Sequence, residues 1–311
     1  MGKATREAYG EALRQAGARN RDIVVLDADL SKSTKTNVFA KEFSDRHFNT
    51  GIAEQNMMSV AAGLAAAGKI PFASTFAMFA SGRAYEQVRN SICYPKLNVK
   101  IAATHAGLTV GEDGATHQAN EDIALMRALP NMTVVNPADA EETRQAIEWA
   151  VAYKGPVYLR LGRANVDDVF GSDYVFQHGK AVQLADGADV TIIATGVMVG
   201  AARRAADELK GQGLSARVLN IHTIKPLDIE AITKAARETG AIVTCEEHSI
   251  IGGLGSAVAE AVVENAPVPL ERVGVLDMFG ESGTPDALLA KYKLTAADIV
   301  AAAKRVISRK R

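Results

Sequence analysis

The chain has 311 residues, 48% of them hydrophobic and 23% charged, which is ordinary globular composition with enough length for two domains, each burying its own core. Thirty-five basic residues balance 36 acidic ones, so no basic footprint for nucleic acid or an acidic membrane surface exists. The apolar runs fall short of the ~18–20 residues of a membrane helix, no apolar signal region opens the chain, and the two cysteines, Cys93 and Cys245, form no CxxC. These features point to a cytoplasmic protein with two buried thiols.

Thr5 to Gly17 reads as an amphipathic helix, with Thr5 or a neighbour as its cap. Ile23 to Leu26 is a short buried strand running into Asp27-Ala28-Asp29. A Ser/Thr/Lys-rich loop, a short helix over Phe39 to Phe43 and an extended piece at Phe48 to Thr50 follow. Glu54 to Ala67 is a helix of mostly small and apolar residues, expected to be largely buried. A strand over Lys69 to Thr75 leads into a helix from about Phe79 to Ile92. Strands at Val99 to Thr104, Thr133 to Val135 and Val157 to Arg160 alternate with helices at Glu121 to Leu129 and Ala138 to Tyr153.

Residues 164 to 188 break this rhythm and read as a linker carrying a hairpin. Strands at Val190 to Thr195, Ser215 to Asn220 and Ala241 to Cys245 then alternate with helices at Val199 to Lys210, Asp228 to Arg237, Gly255 to Asn265 and Pro285 to Tyr292. The basic end, Lys304-Arg305 and Arg309 to Arg311, reads as a solvated, frayed tail. Alternating short strands and longer helices predict an α/β protein of two domains, each a mainly parallel sheet with helices on both faces.

Two stretches carry more chemistry than a structural loop needs. Gly111-Glu112-Asp113-Gly114-Ala115-Thr116-His117-Gln118 packs two carboxylates, an imidazole and an amide between a strand and a helix. Upstream, Glu54 opens an apolar helix, where a carboxylate is paired, capping or functional. His105, His117 and Asp113 lack tight metal-ligand spacing. Phe76 and Phe79 share a helical spacing and pack in a core by default. Gly252-Gly253-Leu254-Gly255 is an incomplete GxGxxG and reads as a tight turn into a helix.

Taken together, Gly51-Ile52-Ala53-Glu54-Gln55-Asn56-Met57, Ser74 to Phe79, Thr104-His105, the Gly111 to Gln118 loop, Arg127 to Asn131 and Asn136-Pro137-Ala138-Asp139 closely resemble the pyrimidine-binding half of transketolase. The remainder resembles that family's C-terminal domain. The resemblance implies a pyrimidine-binding domain at 1–165, a linker at 166–185 and a C-terminal domain at 186–311. The family's Gly-Asp-Gly motif, which anchors the cofactor diphosphate through Mg²⁺, does not occur. The chain therefore resembles the second subunit of a split transketolase, and an N-terminal partner subunit in an α2β2 complex is implied.

The resemblance also implies roles. Glu54, His105, Asp113 and His117 match catalytic positions, Glu54 as the carboxyl partner of the aminopyrimidine of thiamine diphosphate. Phe76, Phe79 and Asp29 match cofactor contacts. Arg6, Ser33 and Arg163 match contacts to a sugar phosphate, with His105, Asp113 and His117 orienting sugar hydroxyls. Burial of Glu54 among Met57 and Met58 is expected to favour its protonated form, against the pull of the helix N-terminus. Gly82 departs from a position often held by tyrosine, and Tyr85 is a possible replacement. No metal ligand is assigned to this chain. The implied activity is transfer of a two-carbon ketol unit between sugar phosphates, as in the pentose phosphate reactions. Half of a deoxyxylulose phosphate synthase, the β subunit of a 2-oxo acid dehydrogenase and a non-catalytic regulatory paralogue are the alternatives.

Overall fold

A computed structural model describes residues 2–310. Two sheets organise the chain. The first contains β1 (Ile23–Asp27), β2 (His47–Asn49), β3 (Ile70–Phe76), β4 (Lys100–Thr104), β5 (Thr133–Val135) and β6 (Val157–Arg160). The second contains β7 (Val182–Ala185), β8 (Val190–Ala194), β9 (Ala216–Asn220), β11 (Ile242–Ser249) and β12 (Leu270–Val275). The intervening β10 (Thr223–Lys225) crosses back and pairs antiparallel with β5 at the edge of the first sheet. The orders are β10-β5-β6-β4-β3-β1-β2 and β12-β11-β8-β9-β7. Apart from β10 and β7, all pairings are parallel.

The helices are α1 (Thr5–Arg19), α2 (Ser31–Thr34), α3 (Asn37–Glu42), α4 (Glu54–Ala66), α5 (Tyr85–Gln87), α6 (Asp122–Ala128), α7 (Ala140–Ala152), α8 (Met198–Gly211), α9 (Ile229–Thr239), α10 (Leu254–Asn265), α11 (Pro285–Lys291) and α12 (Ala296–Ile307). Two wide turns, Phe79–Arg83 and Val88–Cys93, flank α5. Strand alternation feeds two layers. Ile23 and Val25 of β1 join the core under α1 and α7 with Tyr9, Leu13 and Ile147, whereas Val24 and Leu26 join the opposite core with Met57, Met58 and Ile123. The second sheet is covered in the same way, by α8 and α12 on one face and α9 and α10 on the other.

Several sequence expectations change. Thr5 does not cap α1; it is the first helical residue, and its Oγ1 accepts the Gly162 N–H at 2.7 Å, tying α1 to the end of β6. Residues 164 to 188 hold no hairpin: β7 pairs antiparallel with the later β9, so its partner is distant in sequence. Only one face of α4 is buried, through Glu54, Met57, Met58, Ala61 and Ala62; Gln55, Asn56, Ser59, Val60 and Gly63 are exposed. Lys304 and Arg305 belong to α12, whose Ile299, Ala303 and Val306 are buried, and Arg305 and Arg309 pair with Glu271, so the basic end is docked rather than frayed. Arg311 lies outside the described residues. β10, β12 and α12 were not legible as elements because short edge pieces and Ala-rich runs carry weak periodicity. Among the described residues no helix is long and apolar enough to cross a membrane.

Candidate active site

β2 lies on one side of β1 and β3 on the other, so the connections diverge at the carboxyl ends of β1 and β3, where open α/β sheets place ligands. The chemistry-bearing residues gather there and at the adjoining end of β4. β3 ends at Phe76, and the chain turns at once into the segment bearing Phe79 and Arg83. The rings of Phe76 and Phe79 stack with centroids 5.9 Å apart and planes within 14°.

His105 follows β4 in a left-handed conformation, φ 57°, which costs a non-glycine residue strain, and its ring lies over the end of β3. The imidazole stacks on Phe76 at 3.8 Å. His117, at the far end of the polar loop, meets Phe79 edge-on at 5.5 Å. His105 Nδ1 donates to Thr104 Oγ1 at 2.9 Å, because its Nε2 accepts from Nη1 of Arg6 at 3.1 Å. Burial first, then the cations Arg6 and Arg163, push the His105 pKa down to about 3, so the ring is neutral at physiological pH.

Glu54 opens α4 and is buried, and its Oε2 accepts from Nη1 of Arg83 at 2.9 Å. The same guanidinium stands over the Phe79 ring at 4.6 Å. Glu54 is thus a buried carboxyl group paired with a half-exposed guanidinium. Arg83 had no role in the sequence reading; its signal is its place one turn after Phe79. The structure sends Tyr85 elsewhere, its hydroxyl donating to the Leu125 carbonyl at 3.5 Å, so it does not replace the aromatic missing at Gly82.

Arg6 Nη1 also donates to the Ser33 carbonyl at 3.0 Å, joining α1 to the loop after β1. Its Nε is buried without a partner among the described residues. That loop is shaped by Asp27, another residue missed in sequence: its buried carboxylate accepts from Leu30 N–H and from the hydroxyls of Thr34 and Thr36. Asp29 is exposed at φ 61° and is held by Asn49, with its N–H donated to the Asn49 amide oxygen at 3.0 Å. Arg163 donates to the Val110 carbonyl and to Glu112.

Asp113 is exposed at the tip of the loop, with no side-chain hydrogen bond among the described residues. The loop itself is pinned by the second sheet's unit. Ser282 Oγ donates to the Glu112 carbonyl at 2.9 Å, and Gln118 Nε2 donates to the carbonyls of Leu108 and Glu281. At Gly114, φ 77°, a Cβ would lie 2.7 Å from Ser282 Oγ, so glycine allows both the turn and the contact. Arg6, Ser33, Phe76, Phe79, His105 and His117 are thus joined by direct contacts, Glu54 enters through Arg83, and Arg163 binds the polar loop, whereas Asp29 and Asp113 stand at the exposed margin.

A buried carboxyl group linked through Arg83 to a pair of near-parallel phenylalanines is a set of groups suited to a flat, hydrogen-bonding heterocycle. No group of three or more His, Cys, Asp or Glu side chains suited to a metal ion occurs among the described residues. Gly252 to Gly255 serves the fold: the buried Glu246 carboxylate accepts the Leu254 and Gly255 N–H groups at the start of α10, filling the position an external anion would take.

Residues 1–168 match the family "Transketolase, pyrimidine binding domain", and residues 179–299 match "Transketolase, C-terminal domain". A Methanocaldococcus jannaschii protein assigned as a transketolase C-terminal section is 53% identical over 98% of this chain and 96% of its own length. The 6-deoxy-6-sulfo-D-fructose transketolase subunit SqwH of Clostridium sp. is 48% identical over 98% of this chain and 95% of its own. A solved structure described as a split gene transketolase, inactive beta4 tetramer, superposes with TM-score 0.94 at 60% identity, covering both chains completely. The fold and these matches define a pyrimidine-domain protein of the thiamine-diphosphate class. The chain belongs to the transketolase family and matches its pyrimidine-binding and C-terminal domains.

Proposed function

We propose that this chain is the pyrimidine-binding subunit of a two-chain transketolase that moves a two-carbon ketol unit from a ketose phosphate to an aldose phosphate. The observation carrying this reading is the convergence of Phe76, Phe79, His105 and His117, with Glu54 behind Arg83, at the ends of β3 and β4. Residues 1–165 form the pyrimidine-binding domain, 166–185 the linker and 186–311 the C-terminal domain.

Glu54, Phe76 and Phe79 hold the aminopyrimidine end of thiamine diphosphate, with Asp29 at its margin; the cofactor supplies a carbon nucleophile for a sugar carbonyl. Glu54 shares a proton with a pyrimidine ring nitrogen. Neutral His105 offers Nε2 as an acceptor once Arg6 turns to substrate, and His117 bonds a second donor-sugar oxygen. Asp113 reads a hydroxyl of the acceptor. Arg6, Ser33 and Arg163 take the terminal anion of the sugar.

An N-terminal subunit carries the diphosphate and its Mg²⁺, in a cytoplasmic α2β2 complex. Pentose phosphates are the first substrates to test, and the substrate named for the Clostridium relative makes a sulfonated ketose the second. The test co-expresses the chain with a diphosphate-domain subunit and supplies thiamine diphosphate, Mg²⁺, a ketose phosphate and an aldose phosphate. Two-carbon transfer supports the reading; pyruvate decarboxylation without ketol transfer overturns it. A stable, active one-to-one heterodimer on light scattering contradicts α2β2.

A further inference from the structure

Glu246-Glu247-His248, at the end of β11, lies on the seam between the two sheets' units, and each side chain reaches a different element. Glu246 caps α10, and His248 Nε2 accepts from the Ala124 N–H of α6 at 3.4 Å. Glu247 reaches the substrate loop: its Oε1 accepts the Thr109 N–H. It is 4% exposed, so this bond forms away from water.

The approach is built in from both sides. Gly107, at φ 76°, would place a Cβ 2.4 Å from the Glu247 carboxyl carbon, so only glycine lets the loop start against the carboxylate. Arg160, at the end of β6, donates through Nη2 to the Glu247 carbonyl at 2.9 Å and to the Ala119 carbonyl at 3.3 Å, and through Nε to Asp122. Thr109 and Ala119 bracket the stretch bearing Asp113 and His117. One residue of the C-terminal unit therefore grips the start of the loop while the arginine that holds its backbone grips the end. Burial raises the Glu247 pKa to about 7, against the opposing charge of Arg160 and the Thr109 hydrogen bond. As an acid or a carboxylate it still has an oxygen able to accept the Thr109 N–H.

We infer that Glu247 is a positioning residue for the substrate loop, acting through the Thr109 N–H to hold Asp113 and His117 in place. The role is carried by an acceptor oxygen at that reach, not by charge. The clause naming substrate rests on the proposed transketolase activity; the loop-holding clause does not.

Two readouts separate these. In the chain alone, hydrogen–deuterium exchange of residues 107–118 is compared for wild type, Glu247→Gln and Glu247→Ala. Glu247→Ala is expected to speed exchange of this segment by ~10-fold or more while β1 and β8 keep wild-type rates. Glu247→Gln, which keeps the acceptor oxygen, stays near wild type. Unchanged exchange in Glu247→Ala, or equal acceleration in both variants, overturns the inference. Should the alanine variant fail to fold, Glu247→Gln and the shorter Glu247→Asp make the same comparison, with Asp expected to exchange faster. In the reconstituted complex, the variant lacking the acceptor is expected to raise the acceptor-aldose KM about tenfold with thiamine diphosphate affinity unchanged, and Gln to restore it. An unaltered KM in an active complex overturns the inference, whereas an inactive wild-type complex overturns the proposed activity and leaves the exchange result standing.

Discussion

Nη1 of Arg6 donates to Nε2 of His105 across 3.1 Å, and this bond sets the state of the imidazole. Nδ1 must then carry the proton given to Thr104. With the pKa down to about 3, His105 is neutral in the folded chain, and the unfolded chain binds the proton first as pH falls. Its stabilising contribution is complete above pH ~6.5 and is lost as pH falls from there toward 3. Imidazole ¹⁵N shifts are expected to stay flat between pH 5 and 8. In Arg6→Ala the midpoint rises but stays below the ordinary value, since burial is the larger cause. A wild-type midpoint near 6.5 contradicts the assignment.

Glu54→Gln preserves the size of the side chain and an oxygen for Arg83, but cannot exchange a proton. In the assembled complex it is expected to lower kcat by ~10²–10⁴. The thermal midpoint of the chain alone should move little. Full turnover in the variant would remove Glu54 from the proposed chemistry.

Asp122 and Arg160 form a buried ion pair, 2.9 Å from oxygen to Nε, and Asp122 also accepts from the Tyr158 hydroxyl at 2.8 Å. Removing only one partner strands a buried charge. Asp122→Ala is expected to cost about 3–5 kcal/mol in denaturant unfolding. The double variant with Arg160→Leu should lose less than the sum of the singles, because it leaves neither charge unpaired. Strict additivity would contradict the pairing.

Gly114→Ala meets two obstacles, the left-handed φ of 77° and Ser282 Oγ. A loss of about 1–2 kcal/mol is expected in equilibrium unfolding. Adding Ser282→Gly should recover little, since backbone strain remains. Full recovery would show that the side-chain clash alone matters.

Much of the first sheet was readable because buried β-branched runs alternate with amphipathic helices. Ile23 to Leu26 and the helix opening at Glu54 emerge within a residue or so of their predicted limits. The candidate site was readable as types in order: a carboxylate, two spaced phenylalanines, a histidine, then a polar loop. Arg83 and Asp27 were not, because an arginine on a helix and an aspartate after a strand are usually solvated, and only burial and partners distinguish them. The expectation that α4 is largely buried failed because small residues are compatible with either a core or an exposed face.

Sequence alone determined the two-domain α/β class, the family resemblance and the identity of the chemical groups, since these depend on local periodicity and residue order. Tertiary structure alone decided their states and supports. Arg6 sets the tautomer of His105 from 99 residues away, Arg83 pairs with Glu54, and Glu247 holds Thr109 from across the domain seam. Hydrogen-bond reach and desolvation act over a few ångströms in space, and chain distance carries no record of them.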